Sequence, residues 1–171
     1  LIVSRGLGDV YKRQLLACEI ATLAKAKGSS FFNELIDLYA THGFFKERLI
    51  SITKKGKSGA QEIQKIMDEA RTSPPLEING SSVIKIEDYQ SSISYDATTN
   101  TSSAISIPKA NVLIFTTDDG SRIALRPSGT EPKIKYYISV NKALKVASEF
   151  ESTESELEVK INKILKAMNL E

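Results

Sequence analysis

Tryptophan is absent from the sequence, cysteine and histidine occur once each, and aromatic residues make up only 7% of the chain. The single cysteine, Cys18, excludes an internal disulfide and points to a reducing compartment. With one thiol and one imidazole there is no His/Cys set at metal-ligand spacing and no nucleophile paired with a base. His42 falls in the last turn of a predicted helix, which favours a capping or surface role over catalysis. Cys18 falls in an alanine-rich helix and reads as buried packing. The missing tryptophan and scarce aromatics leave no stacking platform for nucleic acid. An excess of one charge is lacking too: 23 Lys and Arg stand against 21 Asp and Glu, a net charge of +2. That balance excludes bulk attraction to DNA, RNA or an anionic membrane. No apolar run approaches the roughly 20 residues that span a bilayer. A soluble, cytoplasmic protein is expected, with no nucleic-acid or membrane partner.

What remains is 171 residues, enough for one domain with a proper core or one domain plus a fragment. The chain begins at Leu1 rather than methionine. Residues 1–14, LIVSRGLGDVYKRQ, have no clean periodicity and resemble a tail that recurs on translated environmental fragments. They are expected to be a non-native or disordered tail on a truncated chain. From Leu15 the spacing of Leu15, Leu16, Ile20, Leu23 and Ala24 predicts a helix ending at Gly28. Ser29 and Ser30 offer an N-cap for a second helix over 31–42, with Phe31, Leu35, Leu38 and Tyr39 as its stripe and Gly43 as its stop. These two helices have no sheet of their own to cover, so they read as the remnant of a preceding domain.

The period then changes from helical to alternating. Residues 45–53 predict a strand with Ile50 and Ile52 on one face. Ser58 and Gln61 stand at capping-box spacing before a helix with Ile63, Ile66, Met67 and Ala70 on one side, stopped by 72–75. Strands are predicted at 82–87 and 111–116. The Ser/Thr-rich segment 90–109 between them reads as an exposed, mobile excursion with at most a short strand near Ile105. Asp118-Asp119-Gly120-Ser121 predicts a hairpin turn into Arg122–Leu125. Its paired carboxylates lack the further ligands a metal site needs. Another strand covers 133–140. Thr153 and Glu156 then stand at capping-box spacing for a terminal helix that buries Leu157, Ile161, Ile164, Leu165 and Met168. The order implies an α+β fold: an antiparallel sheet of about four strands with two helices on one face.

The chemistry concentrates between the last two strands, in Arg126-Pro127-Ser128-Gly129-Thr130-Glu131-Pro132-Lys133. Arg126 offers a planar fork of donors suited to two phosphate oxygens. Ser128 and Thr130 add hydroxyl donors, Gly129 lets the backbone come close to a ligand, and two prolines stiffen the loop. The same residues also make an ordinary Pro/Gly turn with an incidental arginine, and residue chemistry alone leaves both readings open. The basic run Lys54-Lys55-Gly56-Lys57 reads as a solvated turn, with a secondary phosphate contact as the alternative.

RPSGTEPK followed by IKYYISV resembles the carboxy-terminal phosphate-binding loop of the α-D-phosphohexomutases, the phosphoglucomutase and phosphomannomutase family. The branch is the bacterial one with an SGTEPK loop. The stretch LLACEIATLAKAKGSSFFNELIDLYATHGFFKERLISITKKGKSGA resembles the end of that family's third domain running into its fourth. On this resemblance residues 15–43 are the last helices of the third domain and 44–171 the fourth, with a TATA-binding-protein-like fold. It implies interconversion of sugar 1-phosphate and 6-phosphate of glucose or mannose through a hexose 1,6-bisphosphate, with Mg2+ held elsewhere in the parent. The fourth domain grips the phosphate that is not reacting. Position by position, Arg126, Ser128, Gly129 and Thr130 fall on the gripping residues, with Lys133 a weaker candidate and Glu131 and Pro132 shaping the loop. No catalytic or metal-binding residue is expected here, and the partners are a phosphorylated sugar and the absent amino-terminal mutase domains. The fragment alone is expected to be inactive. The alternatives are a free-standing phosphate- or nucleic-acid-binding module and a parent acting on pentose or amino-sugar phosphates.

Overall fold

A computed structural model describes residues 5–54 and 56–170. The described residues up to Phe44 form one compact unit together with Ala143–Glu151. Phe45–Lys142 and the residues from Ser152 onward form a second.

The first unit carries α1 (Arg5–Ala26) and α2 (Phe31–His42). Helix α1 starts well before Leu15, so residues 5–14, expected as a tail, continue it. The helix stop holds: Gly28 takes a left-handed φ of 72°, which a side chain would resist. Ser30 caps α2 by accepting the Asn33 amide at 3.1 Å, and Gly43 closes it with φ 95°. The faces differ from expectation. Leu15, Leu16, Ile20 and Leu23 are exposed and only Ala24 is buried. On α2, Phe31, Leu35 and Leu38 are exposed, as is Phe32, and the packed side is Ile36, buried, with Tyr39 half-buried. Its aromatic side chains meet Phe44 and Phe150: the Tyr39 and Phe44 rings stack at 4.3 Å, and Phe44 stacks on Phe150 at 5.0 Å. Cys18, expected to be buried, is exposed on α1.

The second unit is an α+β layer pair. Its strands are β1 (Phe44–Thr53), β2 (Glu77–Ile78), β3 (Ser81–Asp88), β4 (Ile93–Asp96), β5 (Thr101–Ala104), β6 (Leu113–Thr117), β7 (Arg122–Pro127) and β8 (Lys133–Lys142). They form an eight-stranded sheet in the order β1-β8-β7-β6-β3-β4-β5, with β2 beside β3, and every registered pair is antiparallel. This is twice the number expected. Half of the difference is the β4–β5 hairpin, which occupies the Ser/Thr-rich segment expected as an excursion. All four β5 residues are exposed, so backbone pairing defines that strand and no hydrophobic pattern announces it. Its turn is built by Asp96, whose Oδ1 accepts the Thr98 and Thr99 amides at 2.8 and 3.1 Å, and by Asn100 at φ 54°.

Helices α3 (Lys57–Thr72) and α4 (Phe150–Ala167) supply the helical layer, and both line one hollow with Phe115, Leu125 and Tyr136 of the sheet. Burial alternates along β8, with Ile134, Tyr136, Ile138 and Val140 inward. These meet Ile63 and Met67 of α3 and Leu157, Ile161, Ile164 and Leu165 of α4 in a core of buried side chains. Each such side chain contributes on the order of 1.5–3 kcal/mol of burial. Neither expected capping box starts a helix. Helix α3 begins at Lys57 behind Gly56, whose φ is 86°, and no side chain caps it. Helix α4 begins at Phe150 after a short 3-10 turn (Ala147–Glu149), which leaves Thr153 inside the first turn and buried. Strand β1 turns Lys46 and Arg48 toward the helical layer. Lys46 pairs with Glu154 at 3.0 Å and Glu158 at 3.4 Å, and Arg48 with Glu158 and Asn162.

The Asp118–Ser121 turn forms as expected, with Gly120 at φ 79°. Asp119 accepts from Thr117 Oγ1 and Ser121 Oγ at 2.7 Å, Ser121 N at 3.0 Å, Ser81 Oγ at 2.9 Å and Lys160 Nζ at 3.0 Å. Burial pushes its carboxyl up, but these donors outweigh burial and hold it well below the ordinary aspartate range. The carboxylate is a structural tie joining β3, the β6–β7 hairpin and α4.

Candidate anion-binding site

Strands β7 and β8 are joined by Ser128–Pro132, and the loop is closed by its own backbone. The Ser128 amide donates to the Lys133 carbonyl at 2.7 Å, and the Lys133 amide to the Glu131 carbonyl at 2.7 Å. The Thr130 amide reaches Ser128 Oγ at 3.4 Å. A further tie comes from the end of β1: the Lys54 amide donates to the Pro132 carbonyl at 2.9 Å. Gly59, in the first turn of α3, explains how the helix starts so close, because a Cβ there would run into the Lys54 carbonyl. The loop is thus held at its base by two strands.

Its tip behaves differently. Gly129 and Thr130 are exposed, and a Cβ on Gly129 would meet nothing within 4 Å. The fold therefore makes no demand for glycine at 129. The opening above it is space that a ligand can enter and a side chain would occupy.

The hairpin register brings two cations together. Arg126 pairs with Lys135, so both project from the sheet face opposite the helices. With Pro127, Ser128, Gly129 and Thr130 they line one hollow. Neither the Arg126 nor the Lys135 side chain has a hydrogen-bond or ion-pair partner among the described residues. Like charges set directly opposite across a strand pair repel, so the arrangement is destabilising until an anion sits between them. Ser128 commits its amide to the loop but keeps a hydroxyl proton to donate. Thr130 Oγ1 and the Gly129 amide are uncommitted among the described residues. One guanidinium, one ammonium, two hydroxyls and an amide thus surround an open volume, a donor set matched to phosphate oxygens.

Of the residues that the sequence reading named, Arg126, Ser128, Gly129 and Thr130 line this hollow. Lys133 does not line this hollow and instead pairs with Glu131 at 3.3 Å. The cation opposite Arg126 is Lys135, which the sequence reading did not single out. A signal was present: a loop centred between Thr130 and Glu131 pairs the positions equidistant from that centre. A second hollow behind the loop is lined by its other side with Ala60, Ile63, Gln64 and Asn111, and it holds no cation. Of the basic run, Lys54 pairs with Glu62 at 3.4 Å, and Lys55 lies outside the described residues.

His42 and Cys18 are both exposed, and neither lies in the unit that carries the loop. Among the described residues no group of His, Cys, Asp and Glu could hold a metal ion, and no helix is long and apolar enough to cross a membrane.

An antiparallel sheet with helices on one face defines an α+β domain, and the donor-rich loop between two of its strands is a candidate anion site. Comparison with known proteins makes this specific. The model of the phosphoglucomutase/phosphomannomutase C-terminal domain matches residues 51–156, which include the whole loop. A phosphoglucomutase of Staphylococcus aureus (strain MRSA252) is 43% identical over 125 residues, covering 73% of this chain and 22% of that protein. A phosphoglucomutase of Staphylococcus saprophyticus is 37% identical over 132 residues, covering 77% and 24%. Among solved structures, the open form of the exocytosis-sensitive phosphoprotein pp63/parafusin (phosphoglucomutase) from Paramecium matches at 15% identity with a TM-score of 0.33, over 77% of this chain and 22% of that one. The chain belongs to the phosphoglucomutase/phosphomannomutase family and carries its C-terminal domain. It spans less than a quarter of the length of the curated relatives it matches.

Proposed function

We propose that the β7–β8 loop binds the non-reacting phosphate of a hexose phosphate, glucose or mannose, in a mutase that interconverts the 1-phosphate and the 6-phosphate. The observation that carries this reading is the unpaired Arg126–Lys135 couple facing an open loop tip. Arg126 supplies a bidentate contact, Lys135 a second positive charge, Ser128 and Thr130 hydroxyl donors, and the Gly129 backbone a close approach. Lys133 serves the loop by pairing with Glu131.

Holding the idle phosphate contributes to catalysis at a distance. Binding energy from a non-reacting group orients the reacting end and offsets the entropy of bringing it to the donor. The grip must also release, because the two phosphates of the substrate exchange roles in such a reaction. An exposed loop on a sheet edge suits release better than an enclosed pocket. Phosphoryl transfer itself belongs to the rest of the parent enzyme. Among the described residues no group of His, Cys, Asp and Glu could hold the Mg2+ of the family reaction.

The test is titration of the 171-residue chain with glucose 1-phosphate, followed by loop amide shifts. Arg126→Ala should weaken binding by about 1–2 kcal/mol in the exposed loop, and by about 2–4 kcal/mol in the intact parent, where the contact is desolvated. Binding that does not depend on Arg126 refutes the assignment. Salt-sensitive binding of an oligonucleotide in place of the sugar phosphate would favour a nucleic-acid module. The chain alone should not convert glucose 1-phosphate to the 6-phosphate, and measurable turnover would overturn that expectation.

A further inference from the structure

On the face that carries Arg126 and Lys135, the next outward position of β8 is Tyr137. It is 39% exposed, a large ring left open on a polar surface. Across the ladder it faces Ala124, whose methyl group cannot cover it. No aromatic ring or cation stacks on it, and its hydroxyl has no partner among the described residues. The other tyrosine of this stretch, Tyr136, points into the core and is buried. Part of its ring is open to solvent, its hydroxyl is unbonded, and it stands beside two unpaired cations, so Tyr137 has a surface free to receive a ligand.

From this arrangement we infer that Tyr137 is the stacking surface for the sugar ring of the phosphate ester held by Arg126 and Lys135. The inference rests on the phosphate-binding reading above and adds a contact for the sugar. Two residues along a strand advance about 6.7 Å. That places the tyrosine roughly one ester linkage from the cation pair, where the carbohydrate attached to a bound phosphate would lie. A pyranose has an apolar face of C–H groups and a rim of hydroxyls. A tyrosine matches both, with its ring against the C–H face and its hydroxyl at the rim. Being sequence-adjacent to the core residues Tyr136 and Ile138, it is held on a rigid strand and needs no ordering to receive a ligand. Tyr137 is thus a positioning and specificity residue that separates a sugar phosphate from free phosphate. It takes no part in bond making.

The experiment compares glucose 6-phosphate with inorganic phosphate on the full chain, by titration calorimetry or amide shifts, for the wild type, Tyr137→Ala, Tyr137→Phe and Arg126→Ala. Tyr137→Ala should lose about 3- to 10-fold in affinity for glucose 6-phosphate, and Tyr137→Phe should stay near wild type. Inorganic phosphate should bind all three of these chains within about twofold, which also shows that the variants fold. Equal affinities of wild type and Tyr137→Ala for glucose 6-phosphate would overturn the inference while leaving the phosphate site standing, provided Arg126→Ala weakens both ligands. A parallel loss of both ligands in Tyr137→Ala would also overturn it. If neither ligand binds the wild type, or if binding ignores Arg126, the phosphate reading itself fails and the stacking role falls with it.

Discussion

Removing the charge of Lys135 should make the free chain more stable and the phosphate complex weaker, two effects of opposite sign. In Lys135→Gln the side chain stays straight and polar, one atom shorter, and the alternation of β8 is untouched. Arg126 and Lys135 are directly paired across the ladder, so their Cβ atoms stand about 5 Å apart. Their charged tips, spread into solvent at about 6 Å, repel by about 0.7 kcal/mol in bulk water. Screening at physiological salt reduces this to roughly 0.3–0.5 kcal/mol. That is the expected gain in unfolding free energy without ligand. A phosphate dianion about 4 Å from the ammonium changes the sign, with an attraction of about 2 kcal/mol before screening and roughly 1–2 kcal/mol after it. Loss of that term lowers affinity by about 5- to 30-fold.

Urea melts followed by circular dichroism read both effects. Without phosphate the Gln variant should melt at or slightly above the wild type. In saturating phosphate the order should reverse, because bound ligand stabilises the wild type by RT ln(1 + [L]/Kd). Lys133→Gln is the internal control: its ammonium already pairs with Glu131, so phosphate affinity should change less than about twofold. The reasoning is refuted if Lys135→Gln binds phosphate as the wild type does while Lys133→Gln does not. A ligand-free destabilisation of Lys135→Gln above about 1 kcal/mol would show that Lys135 is a structural residue.

Gly129→Ala should leave urea stability within about 0.5 kcal/mol, since a Cβ there meets nothing, and should weaken phosphate by several-fold on the same titration; unchanged affinity would show that no ligand approaches that backbone. Asp119→Ala should cost about 2–3 kcal/mol at pH 7, because the buried Ser121 amide and hydroxyl lose their acceptor while the Thr117 hydroxyl retains the Ser121 carbonyl. The folded Asp119 carboxyl titrates below its unfolded value, so this stability is present in full above the ordinary aspartate range. It is lost as pH falls below about 4 and through the depressed folded value. Urea melts from pH 7 down to pH 2 should show wild type and variant converging, and a gap that stays constant to pH 2 would contradict the charge-based account.

Much of the fold was legible because local chemistry and burial agreed. Gly28, Gly43 and Gly120 occupy left-handed positions where turns were predicted, and the apolar spacing of α3 and α4 matches the faces they bury. Capping boxes misled because Ser58 and Thr153 have the right spacing but sit inside helices that start earlier, behind Gly56 and a 3-10 turn. Strand β5 escaped notice because its four exposed residues carry no pattern, only a partner.

For the site, the sequence by itself determined the donor chemistry. Arg126, Ser128, Gly129 and Thr130 follow one another along the chain, and a loop between two strands keeps them together whatever surrounds it. Tertiary structure decided the rest. Hairpin register chose Lys135 over Lys133 as the cation facing Arg126, and it set Ala124 opposite Tyr137, whose ring stays partly exposed. Packing also decided that Ile36, absent from the predicted stripe, is the buried residue of α2, while Phe31, Leu35 and Leu38 stay exposed. Residue type is a property of one position, whereas exposure, pairing and electrostatic company are relations between segments, and only the folded chain fixes them.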